Sequence, residues 1–206
     1  YCVTLQDTLK KHDVYSHLTT DHYHYFATGG ENYCQSFNSW DFHRGQEGDT
    51  WVSRVDEPAL PQEYYGQVRP QYEKNRTRLQ KEEDYSGPRT IQSACQWLED
   101  NRNSDNFFLM VECFDPHEPF DCPKPYLELY GDAYTGPRYD WPAYGKREAP
   151  EEAMSHLRNR YAALVTMMDH WLGRLLDQLD QLSLWDDTMI IFTTDHGFML
   201  GAHDWT

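Results

Sequence analysis

Val14-Tyr15-Ser16-His17-Leu18-Thr19-Thr20-Asp21-His22-Tyr23-His24 begins as a strand and ends in titratable chemistry. β-Branched and aromatic residues dominate Val14 to Thr20, a composition that suits a pleated backbone. The same sequence of events occurs twice more. Phe107-Phe108-Leu109-Met110-Val111 is an unbroken apolar run of strand length, as expected for a strand covered on both faces, and it leads into Asp115 and His117. Thr188-Met189-Ile190-Ile191-Phe192-Thr193-Thr194 reads as a third strand and runs into Asp195-His196-Gly197.

Helical patterns fill the spaces between. Leu5 and Leu9 make a short one that ends near Lys11-His12, and Ile91, Ala94, Cys95 and Leu98 recur at spacings of three and four within 90–100. Pro150-Glu151-Glu152 opens a long helix, with proline in the first turn and carboxylates at the positive end of the dipole. Its apolar stripe is Leu157, Tyr161, Leu164, Met168, Leu172, Leu175, Leu179 and Leu182, and Trp185-Asp186-Asp187 makes the following turn. Helix alternating with strand predicts an α/β fold with a mainly parallel sheet. Residues 29–87 and 118–149 are rich in Gly, Pro, Tyr and charge without a clear period, and read as long loop insertions.

The 206 residues carry 18 Lys and Arg against 34 Asp and Glu, a net charge of −16 that opposes any role in neutralising a nucleic-acid backbone or an anionic membrane surface. With 39% hydrophobic and 15% aromatic residues the chain is too apolar for an acidic disordered segment. No apolar run approaches the roughly 20 residues of a membrane span. Five cysteines without CxxC spacing suggest free or partly buried thiols and no zinc ribbon. His12, His17, His156 and His170 fall within helical or strand patterns and read as surface or packing residues. Asn75-Arg76-Thr77 matches the glycosylation sequon, and the Tyr and Trp of the two loops either line a cleft or pack on the sheet.

In an open parallel sheet the carboxyl ends of the strands lie on one edge, where ligands bind. Asp21, His22 and His24, then Asp115 and His117, then Asp195 and His196 would share that edge, with His203 and His43 in the irregular segments beside them. Asp and His together offer metal ligation through carboxylate oxygen and imidazole nitrogen, or acid–base work by imidazole near neutral pH. One such pair can be a loop cap; three strand ends with the same chemistry favour a shared pocket.

At this point the motifs resemble those of a known family. Ile190 to His203, with Thr194-Asp195-His196-Gly197 and Gly201-Ala202-His203, resembles the sulfatase pattern S/T-D-H-G-x-x-x-G-x-H, and Phe114-Asp115-Pro116-His117-Glu118-Pro119-Phe120 resembles its D-P-H-x-P-F segment. The helix from Arg160 to Leu179 is similar to the one those enzymes carry between the two motifs. Thr20-Asp21-His22-Tyr23-His24-Tyr25 and Gly45-Gln46-Glu47-Gly48-Asp49 resemble a bacterial subgroup. The resemblance spans nearly the whole chain and implies an alkaline-phosphatase-like α/β/α sandwich, with residues 1–206 forming part of one catalytic domain incomplete at both ends.

By that resemblance the protein is a metal-dependent hydrolase that cleaves the S–O bond of sulfate monoesters, on a small-molecule or carbohydrate substrate. Asp195 and His196 match a pair of metal ligands, with Ca2+ the first expectation and Mg2+ or Mn2+ the alternatives. His117 matches the histidine that contacts the ester and protonates the leaving oxygen, His24 matches the histidine beside the nucleophile, and His22 and His203 are the implied substrate-binding residues. His22 stands where the family commonly has lysine. The nucleophile would be a formylglycine made from Cys or Ser in a C/S-x-P/A-x-R signature, and no cysteine here has that context, so it and a first pair of metal ligands are expected upstream and residues 1–206 alone are expected to be inactive. A phosphonate or phosphate ester hydrolase of the same superfamily is the alternative, and a sulfatase-like binding protein without catalysis a third.

Overall fold

A computed structural model describes residues 3–30, 32–131 and 133–206. Three parallel strands form its sheet: β1 (Tyr15–Thr20), β2 (Ser39–Phe42) and β3 (Phe107–Glu112), in the order β2-β1-β3. β1 is central, with His17 opposite Ser39 on one side and Leu109 on the other. Its residues Ser16 to Thr20 are all buried although most are polar, and apart from His17 Nε2 their polar side-chain atoms are matched. Ser16 bonds Asn38, and His17 Nδ1 lies 2.7 Å from Ser39 Oγ. Thr19 donates to the carbonyl of Thr90, and Thr20 to Glu112. Burial of such a strand is tolerable only because these partners replace water. His17 also stacks on Trp97 at 5.2 Å, a packing role as its strand position implies.

The helices are α1 (Leu5–Lys10), α2 (Pro70–Arg76), α3 (Ser86–Asp100), α4 (Lys124–Glu128) and α5 (Glu151–Gln181). α3 packs on β1 and β3 and also on α5, so it joins the sheet to the long helix. The main core gathers Ile91 of α3, Phe120, and Ala153, Met154, Leu157, Leu164, Met167 and Trp171 of α5. The buried stripe of α5 thus shares Leu157, Leu164 and Leu179 with the expected one but also takes in Met167 and Trp171, while Tyr161, Met168 and Leu175 flank it half-buried. On the other part of the sheet Leu18 packs with Cys34 and Phe37 against Phe108 and Met110.

Two expectations need correction. Residues 188–194 form no strand: Met189, Ile191 and Phe192 are 85%, 75% and 81% exposed. The third strand is instead Ser39–Phe42, inside the segment expected to be loop. A β-branched run becomes a strand only when an edge is offered to its backbone. Among the described residues nothing pairs with 188–194, and the outer edges of β2 and β3 carry no further strand.

The two irregular segments are held to each other by charge. Arg76 binds Asp121 at 2.8 Å and Asp140 at 2.6 Å, and Arg138 binds Glu73 and Asp140. Tyr72, Tyr139 and Trp141 are buried there, so these loop aromatics pack. Asn75 of the sequon is fully buried, and its carboxamide accepts from the Val52 N–H and donates to the Asp49 carbonyl. Cys34, Cys95, Cys113 and Cys122 are free thiols, and Cys2 lies outside the described residues.

Candidate active site at the strand ends

The ends of all three strands are tied together by two buried aspartates. Asp21, just past β1, accepts the Phe114 N–H on Oδ1 at 2.6 Å. Asp115, past β3, accepts on Oδ1 from Gln46 Nε2, past β2, also at 2.6 Å. Burial pushes the Asp21 carboxyl up to about 6, and burial together with the Asp21 charge pushes Asp115 up as well. Burial disfavours the ionised form of both carboxyls, and at Asp115 the Asp21 charge adds to it. Their place is under the site, fixing its floor.

Above that floor the aromatic rings form a continuous series. His22 lies 5.3 Å from His24, and both reach Phe114, at 4.9 and 5.9 Å. Phe114 meets His117 at 4.3 Å, His117 meets Phe198 at 5.8 Å, and Phe198 meets His196 at 6.3 Å. The structure therefore gathers His22, His24, His117 and His196 along one edge. Asp195 belongs with them, since its charge is felt at His22 and His117. His203 is exposed on a left-handed backbone (φ 54°) in the turn Ala202–Asp204. His43 closes β2 with its ring buried, and that burial, with the Arg89 charge, pushes it down to about 4, so it is neutral near pH 7.

Burial also lowers the His22 pKa, helped by the neighbouring His24 and His117 and opposed by Glu112 and Asp195. His22 is thus a neutral donor or acceptor near neutral pH, unlike a lysine at the same place. Asp195 and His196 sit on an exposed turn, with the His196 N–H donating to Asp195 Oδ1 at 2.7 Å, and that bond holds the Asp195 carboxyl below the usual range.

Sequence reasoning left out the residues that surround His117. Its Nδ1 is 2.7 Å from the Glu118 carbonyl oxygen, 3.2 Å from Glu47 Oε1 and 3.3 Å from Glu118 Oε2. Every one of these atoms is an acceptor, so Nδ1 carries the ring proton and Nε2 is left to act on a ligand. Glu47, His117 and Glu118 bring donor atoms within 4.8 Å of one another, the spacing of a metal cluster. Arg69 Nη1, however, already lies 3.2 Å from Glu47 Oε2, and the Tyr23 hydroxyl donates to the same oxygen at 3.0 Å. A trio with its own guanidinium and a committed Nδ1 is a hydrogen-bonded cluster more than an open ligand set. The signal for Glu47 was its position after a short strand, and that strand was hidden in an apparently aperiodic segment.

Comparison with known proteins decides the family. The sulfatase family profile matches residues 2–205. The chain belongs to the sulfatase family. This sulfatase chain is 32% identical over 142 residues to human iduronate 2-sulfatase, covering 55% of the chain and 26% of that protein. It is 32% identical over 136 residues to the multifunctional alkaline phosphatase superfamily protein PehA of Trinickia caryophylli, covering 50% of the chain and 25% of PehA. The chain thus spans about a quarter of the length of these relatives. In fold it is similar to the phosphonate monoester hydrolase SpPMH from Silicibacter pomeroyi, with a TM-score of 0.64 and 19% identity over 97% of this chain and 48% of that one. The fold is accordingly the α/β architecture of that group, with an open parallel sheet.

Proposed function

We infer that the sulfatase chain supplies the general acid and part of the cation site of a hydrolase that cleaves sulfate monoesters at the S–O bond. The observation that carries this is the setting of His117: oxygens enclose Nδ1, and Nε2 remains as the atom that gives a proton to the departing alcohol oxygen. His24, against Tyr23 and near Phe114, is the residue we assign to the histidine beside the nucleophile, on the motif it matches. His22 and His203 bind the substrate, His22 as a neutral hydrogen-bonding group. No cysteine of this chain lies in a C/S-x-P/A-x-R context, so the formylglycine nucleophile is assigned to chain outside residues 1–206.

Asp195 and His196 would hold a divalent cation, Ca2+ foremost, with Mg2+ or Mn2+ as alternatives. One ionised carboxylate and one imidazole on an exposed turn fit as two members of such a set, short of the six or more ligands Ca2+ takes. When bound, the cation supplies positive charge for the ester's anionic oxygens. Similarity to a protein named for iduronate supports a sulfated sugar as substrate. Similarity to PehA supports phosphonate or phosphate esters as a second reading, because tetrahedral anions of like charge suit one pocket.

A panel of aryl sulfate, phosphonate monoester and phosphate monoester, offered to the full-length protein, separates the two. Turnover of the sulfate is expected to dominate. His117→Ala should lower kcat about 10²–10⁴-fold, the range of a lost general acid. Chelation, and Asp195→Ala, should lower it as well. Full activity in Asp195→Ala would remove the cation assignment, full activity in His117→Ala would remove the acid, and no turnover of any ester would favour a binding protein.

A further inference from the structure

Glu47 lies in the turn after β2, and the protein goes to some length to hold it there. Its backbone is left-handed (φ 39°), a conformation a non-glycine residue keeps only when its surroundings impose it. The surroundings do so. Asp49 accepts from Arg44 at 2.6 Å and from the Gly45 N–H at 2.9 Å, and Asn75 of α2 donates to the Asp49 carbonyl at 2.8 Å. Glu47 itself is only 5% exposed. A carboxylate so buried is costly unless its oxygens are paired. Oε2 is paired with Tyr23 and Arg69, and Arg69 is in turn laid over the Trp141 ring at 4.4 Å. Oε1 stands 3.2 Å from His117 Nδ1 as an ion-pair contact, beside the 2.7 Å hydrogen bond from Nδ1 to the Glu118 carbonyl.

We propose that Glu47 is a positioning residue for His117: its carboxylate fixes the imidazole with Nδ1 protonated and offsets the positive charge the ring bears whenever Nε2 also holds a proton. The role is chemically that of the buried aspartate behind the histidine of a serine-protease triad, built here from a different element. The charged and titratable groups facing His117 are Glu47 past β2, Glu118 beside it, Asp195 on the C-terminal turn, and His22 and His24 past β1. Glu118 contributes its carbonyl and a second carboxylate, but of the two carboxylates Glu47 is the one paired with a guanidinium, Arg69, as well as with the Tyr23 hydroxyl. The premise that His117 is the acid comes from the proposed function.

The test uses the full-length protein and two sulfate esters, one with an acidic nitrophenol and one with an aliphatic alcohol as leaving group. Loss of acid catalysis matters most when the leaving group is poor, so Glu47→Gln should lower kcat about 10–100-fold on the alkyl ester and much less on the nitrophenyl ester, with KM little changed. The double variant Glu47→Gln/His117→Ala should be no slower than His117→Ala alone. Tyr23→Phe, which removes one hydrogen bond from Oε2 and leaves the charge, should show the same substrate dependence at smaller size and covers the case in which Glu47→Gln folds poorly. Equal losses on both esters, or additive losses in the double variant, would overturn the proposal. Nitrogen-15 NMR of His117 provides an arm that needs no turnover: a hydrogen-bonded Nδ1 proton should be seen far downfield in the wild type and move upfield in Glu47→Gln. If that resonance does not move, Glu47 does not hold the ring. If it moves while His117→Ala shows no leaving-group dependence, the placement of Glu47 stands and the acid assignment fails.

Discussion

At the scale of single residues, the buried pair Asp21 and Asp115 makes the protein's stability depend on pH in an unusual direction. Asp21 is pushed from an ordinary value near 3.8 up to about 6, so between those limits the folded protein holds a proton that the unfolded chain has released. Stability from this source is fully present below about pH 4 and is lost as the pH rises through about 6, on the order of 3 kcal/mol in all. Urea unfolding of the wild type and of Asp21→Asn at pH 4.5 and 7 should show a shallower pH slope in the variant; identical slopes would contradict a carboxyl at Asp21 raised by burial. Asn75 belongs to the same scale. Its side chain satisfies the Val52 N–H and the Asp49 carbonyl in a fully buried place. Asn75→Ala takes the acceptor from the Val52 N–H and leaves the Asp49 carbonyl with the Trp51 N–H alone, and should cost about 1–3 kcal/mol in the same measurement. The sequon was plain in the sequence; its burial was not, because three letters say nothing of what packs over them.

Among the elements, α5 and the run from Met189 to Phe192 look alike as sequence and differ in energetics. Leu164 is fully enclosed in the core on α5, so Leu164→Ala removes buried contacts and leaves a cavity, at about 2–4 kcal/mol. Ile191 is 75% exposed in a segment with no strand partner among the described residues. Ile191→Lys should change the stability of the 206-residue chain by less than about 0.5 kcal/mol and raise its solubility, because it breaks an exposed β-prone apolar run. A large loss of melting temperature in Ile191→Lys would mean that this run is covered after all. The helical period of α5 is a local signal, readable over many turns. The strand propensity of 188–194 is equally local, yet a strand also needs an edge, and no residue within the segment can say whether one is offered.

For the molecule as a whole, the net charge of −16 is compatible with an anionic substrate because the strand-end region is not simply acidic. Asp21 and Asp115 are buried, which disfavours their charged forms, Glu47 is matched by Arg69, and four imidazoles lie along the edge. What the sequence by itself determined is the alternation of α and β elements, the positions of β1, β3, α3 and α5, and the Asp and His residues that follow the strands, along with the motifs of the sulfatase family. These follow from periodicity, apolar runs and spacing, which are properties of neighbouring residues. The tertiary structure alone decided that Ser39–Phe42 completes the sheet, that residues 188–194 do not, that Asp21 and Asp115 share a dry floor, and that Glu47 reaches His117. The physical reason is common to all four: interstrand hydrogen bonds, carboxylate desolvation and ion pairing act between segments distant in the chain, and their energies exist only once folding has brought those segments together.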